Sequence, residues 1–269
     1  GIGSDALAAV NITAPLFLIN TGVALMFGIG ASVVASIHLS HGKIKVARIN
    51  VTQAVVVSSL LLILYALLIM LNLEKVALLL GSSQRLLPLA VEYMNWFIPF
   101  LVLSSGMFFV RLDGSPNYAM FCNIIPAVIN IVLDYVFIFV FDWGMFGAAI
   151  ATSLGYIVGA AMILVYLINK KHVIHMVRVK LSRKSMMLTA RNVGYMCRLG
   201  LSTFLCEGAI ATMMFVGNYV FMHYTGEDGV AAYSIACYFF PIIFMVYNAI
   251  AQSAQPILSY NFGQGNNGR

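Results

Sequence analysis

Two carboxylates lie deep in apolar sequence, Asp134 and Glu207. A charge there costs about 2.5–3.5 kcal/mol or more, so an acid inside a membrane-length apolar run marks a functional site by default. Asn130 precedes Asp134 by four residues, which puts both on one helix face. Thr152, on the following apolar run, adds a hydroxyl at the same depth. Carboxylate, amide and hydroxyl oxygens suit a hard cation such as Na⁺. A carboxyl in a low-dielectric setting also suits proton carriage. The plainer reading is a polar cluster that only pins helix packing.

Glu207, within Cys206-Glu207-Gly208, is a second acid for coupling or substrate binding. Asn218, Gln252 and Gln255 are expected to face one cavity with it. Asn20, Asn95, Asn123 and Asn248 are weaker candidates, since intramembrane amides commonly join helices through bonds of about 0.6 kcal/mol.

Other chemistries lack their residues. Cys122, Cys197, Cys206 and Cys237 have neither disulfide nor zinc-site spacing and read as small buried hydrophobes. No His is placed deep in an apolar run and Asp134 has no second Asp beside it, so no intramembrane catalyst is assembled. The expectation is a non-enzyme with no cofactor. His38 and His41, beside Lys43, fit a solvated interfacial role better than metal binding. The 15 Met and 18 Phe suit a promiscuous cavity for planar organic cations, and equally suit core and lipid-facing positions.

These residues must be positioned by membrane helices. The 269 residues are 61% hydrophobic and 9% charged, with a mean hydropathy of +0.94. Soluble domains carry about 25% charged residues, so most of the solvent here is lipid. A bilayer core of about 30 Å takes about 20 apolar residues per helix. Apolar runs at 7–37, 51–71, 93–110, 118–141, 145–168, 193–222 and 230–258 predict seven spans, separated by turn-rich breaks. Pro15, Pro99, Pro126, Pro241 and Pro256 fall within or near them and suit kinks.

When loops alternate sides, all of the 15 Lys and Arg except Lys75 and Arg85 fall on one side. That asymmetry predicts a multi-pass protein of the cell (inner) membrane with its basic loops in the cytoplasm. It explains a pI of 9.2 without a nucleic-acid partner. The densest basic stretch, 170–198, also suits the docking of anionic membrane lipids.

The chain repeats itself. Asp5-Ala6-Leu7-Ala8-Ala9-Val10-Asn11-Ile12 returns as Asp228-Gly229-Val230-Ala231-Ala232-Tyr233-Ser234-Ile235, an offset of 223 (228 − 5). Carried forward ungapped, it sets Ser36 against Ser259 and His41-Gly42 against Gln264-Gly265. Both copies have the same sidedness, so their axis should run along the membrane normal, as in transporters whose substrate site lies between repeats. A seven-helix receptor fits the span count, but the repeat makes seven an accident of truncation. One helix is expected to be missing in front of Asp5 and about four behind Arg269.

Several segments together resemble the multidrug and toxic compound extrusion (MATE) family of antiporters. They are Ala8-Ala9-Val10-Asn11-Ile12 with Pro15, Arg111-Leu112-Asp113-Gly114-Ser115-Pro116, Asn130-Ile131-Val132-Leu133-Asp134-Tyr135, Gly147-Ala148-Ala149-Ile150-Ala151-Thr152, and Gln255-Pro256-Ile257-Leu258-Ser259-Tyr260-Asn261-Phe262-Gly263. The resemblance implies an all-α, polytopic helical membrane protein whose twelve-helix parent is a bundle of two lobes. Residues 1–189 would form the N-terminal lobe lacking its first helix, ending in the basic loop. Residues 190–269 would open the C-terminal lobe. In some members, residues matching Asn130, Asp134 and Thr152 form a cation-linked site, together with a first-helix aspartate that this chain lacks. Some members also use a glutamate on the helix that carries Glu207.

The implied function is Na⁺- or H⁺-coupled antiport, exporting amphipathic, mostly cationic compounds by alternating access from a monomer. The alternative is a flippase of lipid-linked sugars from the same superfamily. A flippase should line its cavity with Arg and Lys, whereas here nearly every basic residue falls in a loop.

Overall fold

In hydrocarbon, long apolar runs satisfy their backbone N–H and C=O groups by becoming helices. The computed structural model describes residues 3–104, 107–179 and 182–265, and every regular element among them is helical. The elements are α1 (Ser4–Ser40), α2 (Ile44–Met70), α3 (Leu73–Leu79), α4 (Leu87–Leu101), α5 (Met107–Leu112), α6 (Pro116–Tyr135), α7 (Gly144–Ile168) and α8 (Arg183–Gly263). Lys180 and Arg269, counted above on the basic side, lie outside the described residues, as does the side chain of Pro241.

Among the described residues, five helical stretches are long and apolar enough to cross a membrane: Ser4–Ser40, Ile44–Met70, Pro116–Val140, Gly144–Ile168 and Ser185–Cys237. The protein is a multi-pass membrane protein. The expected run at 93–110 is not one rod. After Pro99 the helix tightens into a 3₁₀ turn at Val102–Ser104, and α5 resumes at Met107.

The last element is bent. A straight helix of 81 residues would reach about 120 Å, four times the bilayer core. Gly226, at φ 70° and ψ −157°, reverses it, a conformation open to glycine for want of a Cβ. The limb 183–225 and the limb 227–263 run back to back, with the Tyr233 hydroxyl donating to the Met213 carbonyl at 3.3 Å. The Gly226-Glu227-Asp228-Gly229 break expected between the sixth and seventh runs is this corner.

α1 packs against both limbs. Against 183–225 it runs antiparallel and very close, since a Cβ at Gly30 would overlap the Met196 backbone and one at Gly200 the Met26 backbone. Glycines at a crossing allow two backbones to approach in lipid, where packing rather than the hydrophobic effect holds helices together. Against 227–263 it runs parallel, with Gly263 seated on Ile37 and Ser40. Ser40 and Gly263 are separated by the repeat offset (263 − 40 = 223).

Two buried clusters anchor the bundle, one around Ile12, Met94, Ile98 and Leu101, the other around Val51, Phe109, Leu167 and Met196. Leu60, Leu64, Leu67 and Leu71 on one face of α2, and Ile131 and Val132 on α6, are exposed. Bands of this kind suit acyl chains and would be untenable in water.

Candidate functional site

The site starts from how α6 and α7 meet. Gly155 and Gly159 on α7 fit beneath Pro126 of α6, each position placing a Cβ only 3.2 Å from that proline. The close approach carries the next turn of α6 onto Thr152. Asn130 Nδ2 donates to Thr152 Oγ1 at 3.4 Å, and the threonine hydroxyl donates to the Ala148 carbonyl at 3.0 Å. Asn130 and Thr152 are therefore brought together, as their spacing implied. Asp134 follows one turn later, half-buried, with Oδ1 shielded and without a hydrogen-bond partner among the described residues. An acceptor left in that state is the atom that a proton or an oxygen-seeking cation would complete.

A cavity of about 550 Å³ opens between α6–α7, α1 and both limbs of α8. Asn123, Asn130 and Thr152 line it from one side. Glu207 and, from the second limb, Asn248 and Gln252 line it from the other. Phe17 and Tyr156 supply aromatic surface, which can hold an organic cation on its face. Asp134 is not part of the lining.

Glu207 is 6% exposed. Its place is made by Gly22 on α1, where a Cβ would stand 3.2 Å from the Glu207 Cβ. Among the described residues its carboxylate makes no hydrogen bond or ion pair. The cavity thus holds one buried acid that no hydrogen bond or ion pair among the described residues engages, in a wall that also carries amides, aromatics and Arg111.

Of the amides expected beside Glu207, only Gln252 reaches the cavity. Asn218 belongs to a different contact. Asn11 Nδ2 donates to Asn218 Oδ1 at 2.7 Å, and Asn218 Nδ2 donates back to the Asn11 carbonyl at 3.1 Å. Both side chains are buried at the α1 crossing, which leaves Asn218 no freedom to face the cavity. Gln255 donates to Ser259 Oγ on its own helix at 3.0 Å and stands apart from the lining. Asn20 donates to the Leu101 carbonyl at 3.2 Å, a packing role, and Asn95 is exposed.

Arg111 was expected in a basic loop and is instead part of the cavity wall. Its Nη1 donates to Gln252 Oε1 at 2.9 Å. A second cavity of about 550 Å³, lined by Gly114, Pro116 and Pro256, shares Arg111, Asn123 and Gln252 with the first. These side chains form the wall common to both. The signal in the sequence was slight: Arg111 directly follows Val110, two residues before the Asp113-Gly114 turn. No cluster of three or more His, Cys, Asp or Glu side chains suited to a metal occurs among the described residues.

Comparison with known proteins agrees with this architecture. The MatE family model matches residues 1–136 and 204–269. The chain is 26% identical over 273 residues to the multidrug export protein MepA of Staphylococcus aureus (strain MRSA252), covering 99% of this chain and 58% of that relative. Its fold is similar to an inward-facing multidrug resistance MATE family transporter of the MOP superfamily, with a TM-score of 0.80, 23% identity, and coverage of 98% of this chain and 57% of that one. It is also similar to the MATE multidrug transporter DinF-BH, with a TM-score of 0.82, 24% identity, and coverage of 97% and 58%. The chain spans under three fifths of the length of these relatives.

Proposed function

The chain belongs to the MatE family of multidrug and toxic compound extrusion transporters, and on that premise we propose that it forms the larger part of a cation-coupled antiporter. The intact protein exports amphipathic, mostly cationic compounds from the cytoplasm, across a cell membrane in which the basic loops face inward. Residues 1–189 belong to one lobe and 190–269 open the other. Na⁺ or H⁺ entering down its gradient neutralises Asp134 or Glu207 and displaces the bound cation. Rocking of the lobes then exposes the cavity to alternate sides.

One observation carries this reading: Glu207, buried and without a hydrogen-bond or ion-pair partner among the described residues, shares a cavity with Asn130 and Thr152 and with the aromatic faces of Phe17 and Tyr156. Negative charge and π-surface in a desolvated space bind an organic cation, and losing that charge to a proton or Na⁺ releases it. A drug-sized ligand fits a cavity of this class. The names of MepA and DinF-BH support the same substrate chemistry.

The flippase alternative is less well served. Among the described residues Arg111 is the one basic residue lining the cavity, and it is bonded to Gln252 rather than clustered with other cations to hold a pyrophosphate.

The test is efflux of a fluorescent amphipathic cation by the intact protein in proteoliposomes under imposed Na⁺ or pH gradients. Gradient-driven efflux that falls in Asp134→Asn or Glu207→Gln supports the proposal. Absence of efflux under both gradients overturns it.

A further inference from the structure

A groove of about 840 Å³ lies at the basic end of the bundle, between the last turns of α1 and the two limbs of α8. Its lining changes character along the membrane normal, in the same sense on two opposed helices. On α1, Val33 and Val34 come first and His38 lies nearest the end. On the limb 183–225, which runs the other way, Leu199 lies deepest, followed outward by Tyr195, Asn192 and Arg191. Leu258 of the second limb closes the apolar part. Ile37, Ser259 and Phe262 complete the lining, so the groove is largely apolar, with Arg191 as its one Lys or Arg among the described residues and His38 beside it toward the mouth.

None of the described lining residues is an acid. Asp113, the loop acid that the alternation of loops puts on the basic side, is already engaged. It accepts the Tyr166 hydroxyl at 2.7 Å and the Ile174 N–H at 2.6 Å, and it faces His172 at 3.4 Å. The neighbouring stretch 170–191 adds further Lys and Arg. Among the described residues Arg191 makes no ion pair.

We propose that this groove is a binding site for one anionic glycerophospholipid of the surrounding bilayer. The phosphate accepts charge-assisted hydrogen bonds from the Arg191 guanidinium and a ring N–H of His38. An acyl chain lies along Val33, Leu199 and Leu258. Basic pockets between membrane helices on the cytoplasmic side hold acidic head groups in this way. A choline head group brings its own cation, so it gains less from Arg191. The site is separate from the central cavity and does not depend on the transport reading.

The experiment is native mass spectrometry of the intact protein released from bilayers containing equal phosphatidylglycerol and phosphatidylcholine. One phosphatidylglycerol per protein should be retained in preference. Arg191→Gln, an exposed position, should weaken retention about five-fold, the loss expected for one interfacial cation. Leu258→Trp fills the apolar part and should displace the lipid with Arg191 intact. Leu199→Trp does so from the opposite wall and keeps the test decisive if the first variant does not fold. Equal retention of both lipids, unchanged retention in Arg191→Gln, or displacement of phosphatidylglycerol by inorganic phosphate at matched concentration would each overturn the proposal. Retention insensitive to both tryptophans would do so too, since another part of the protein would then fill the groove.

Discussion

Asp5, which opens the first repeat copy, and Glu227, which immediately precedes the second, hold the same guanidinium: Arg85 lies 2.5 Å from Asp5 Oδ2 and 3.2 Å from Glu227 Oε2. Ser83 donates to the other oxygen of Glu227. The loop before α4 thereby ties α1 to the limb 227–263 at one end, while Gly263 meets Ser40 at the other. Parallel helices fixed at both ends keep the repeat in register. The Asp5 hydrogen bond, then the charges of Asp5 and Glu227, hold the Arg85 guanidinium above its ordinary value. A raised cation contributes stability below its unfolded value and loses it only as pH rises through the folded one, here far into alkali. The difference in thermal midpoint between wild type and Arg85→Gln should therefore be flat from about pH 6 to about pH 9 and shrink with added salt. A difference that grows with salt would remove the ion pairs from the account.

The crossing of α1 with the limb 183–225 gives a sharper prediction. Gly200→Ala and Gly30→Ala force backbones apart and should each destabilise the intact protein by about 1–3 kcal/mol in detergent unfolding. Gly208→Ala, on the same limb with nothing near its Cβ position, should be neutral or stabilising. Equal effects at Gly200 and Gly208 would mean that the close approach is absent in the membrane.

The Asn11–Asn218 pair should behave as a packing clasp. Removing one amide strands the other in a buried site, at about 1–3 kcal/mol. Replacing both by Leu should cost less than the sum of the two single changes, because nothing polar is then left unpaired. Gradient-driven efflux per folded protein should survive the double change. Loss of efflux with the fold intact would return Asn218 to the transport machinery.

Much of this was legible in sequence, and what was not has a common cause. Apolar runs and turn residues announced the helices, and the Gly226 corner fell at a predicted break. Asn130 and Thr152 meet because they lie on successive helices joined by one short connection, a relation that sequence order carries. Asn218 was misplaced because its partner lies 207 residues away across a helix crossing that no local pattern encodes. Arg111 was assigned to a loop because its partner, Gln252, lies 141 residues away on another helix, a contact that no local pattern encodes.

Arg111 leads to a kinetic prediction. A guanidinium in the wall of the cavity opposes a cationic substrate by about 1 kcal/mol at an effective dielectric near that of water. Arg111→Gln should therefore lower KM for a monocationic dye by up to about five-fold. An unchanged KM, with Gln252→Ala equally silent, would mean the dye does not pass this wall.

The two acids should separate by role. Asp134 lies off the cavity with an orphaned, shielded oxygen, whereas Glu207 lines the cavity beside the aromatic surface. Asp134→Asn should abolish the response of efflux to the coupling gradient while leaving equilibrium binding of the dye within about two-fold, since the variant removes a titrating group and no binding surface. Glu207→Gln removes the charge that faces the substrate and should weaken dye binding by about ten-fold, the loss of one charge-assisted contact of about 1.4 kcal/mol. Fluorescence titration of the dye, run beside efflux under Na⁺ and pH gradients, measures both. If Asp134→Asn weakens binding as much as Glu207→Gln, the two acids form one site, and substrate and coupling cation compete for it directly.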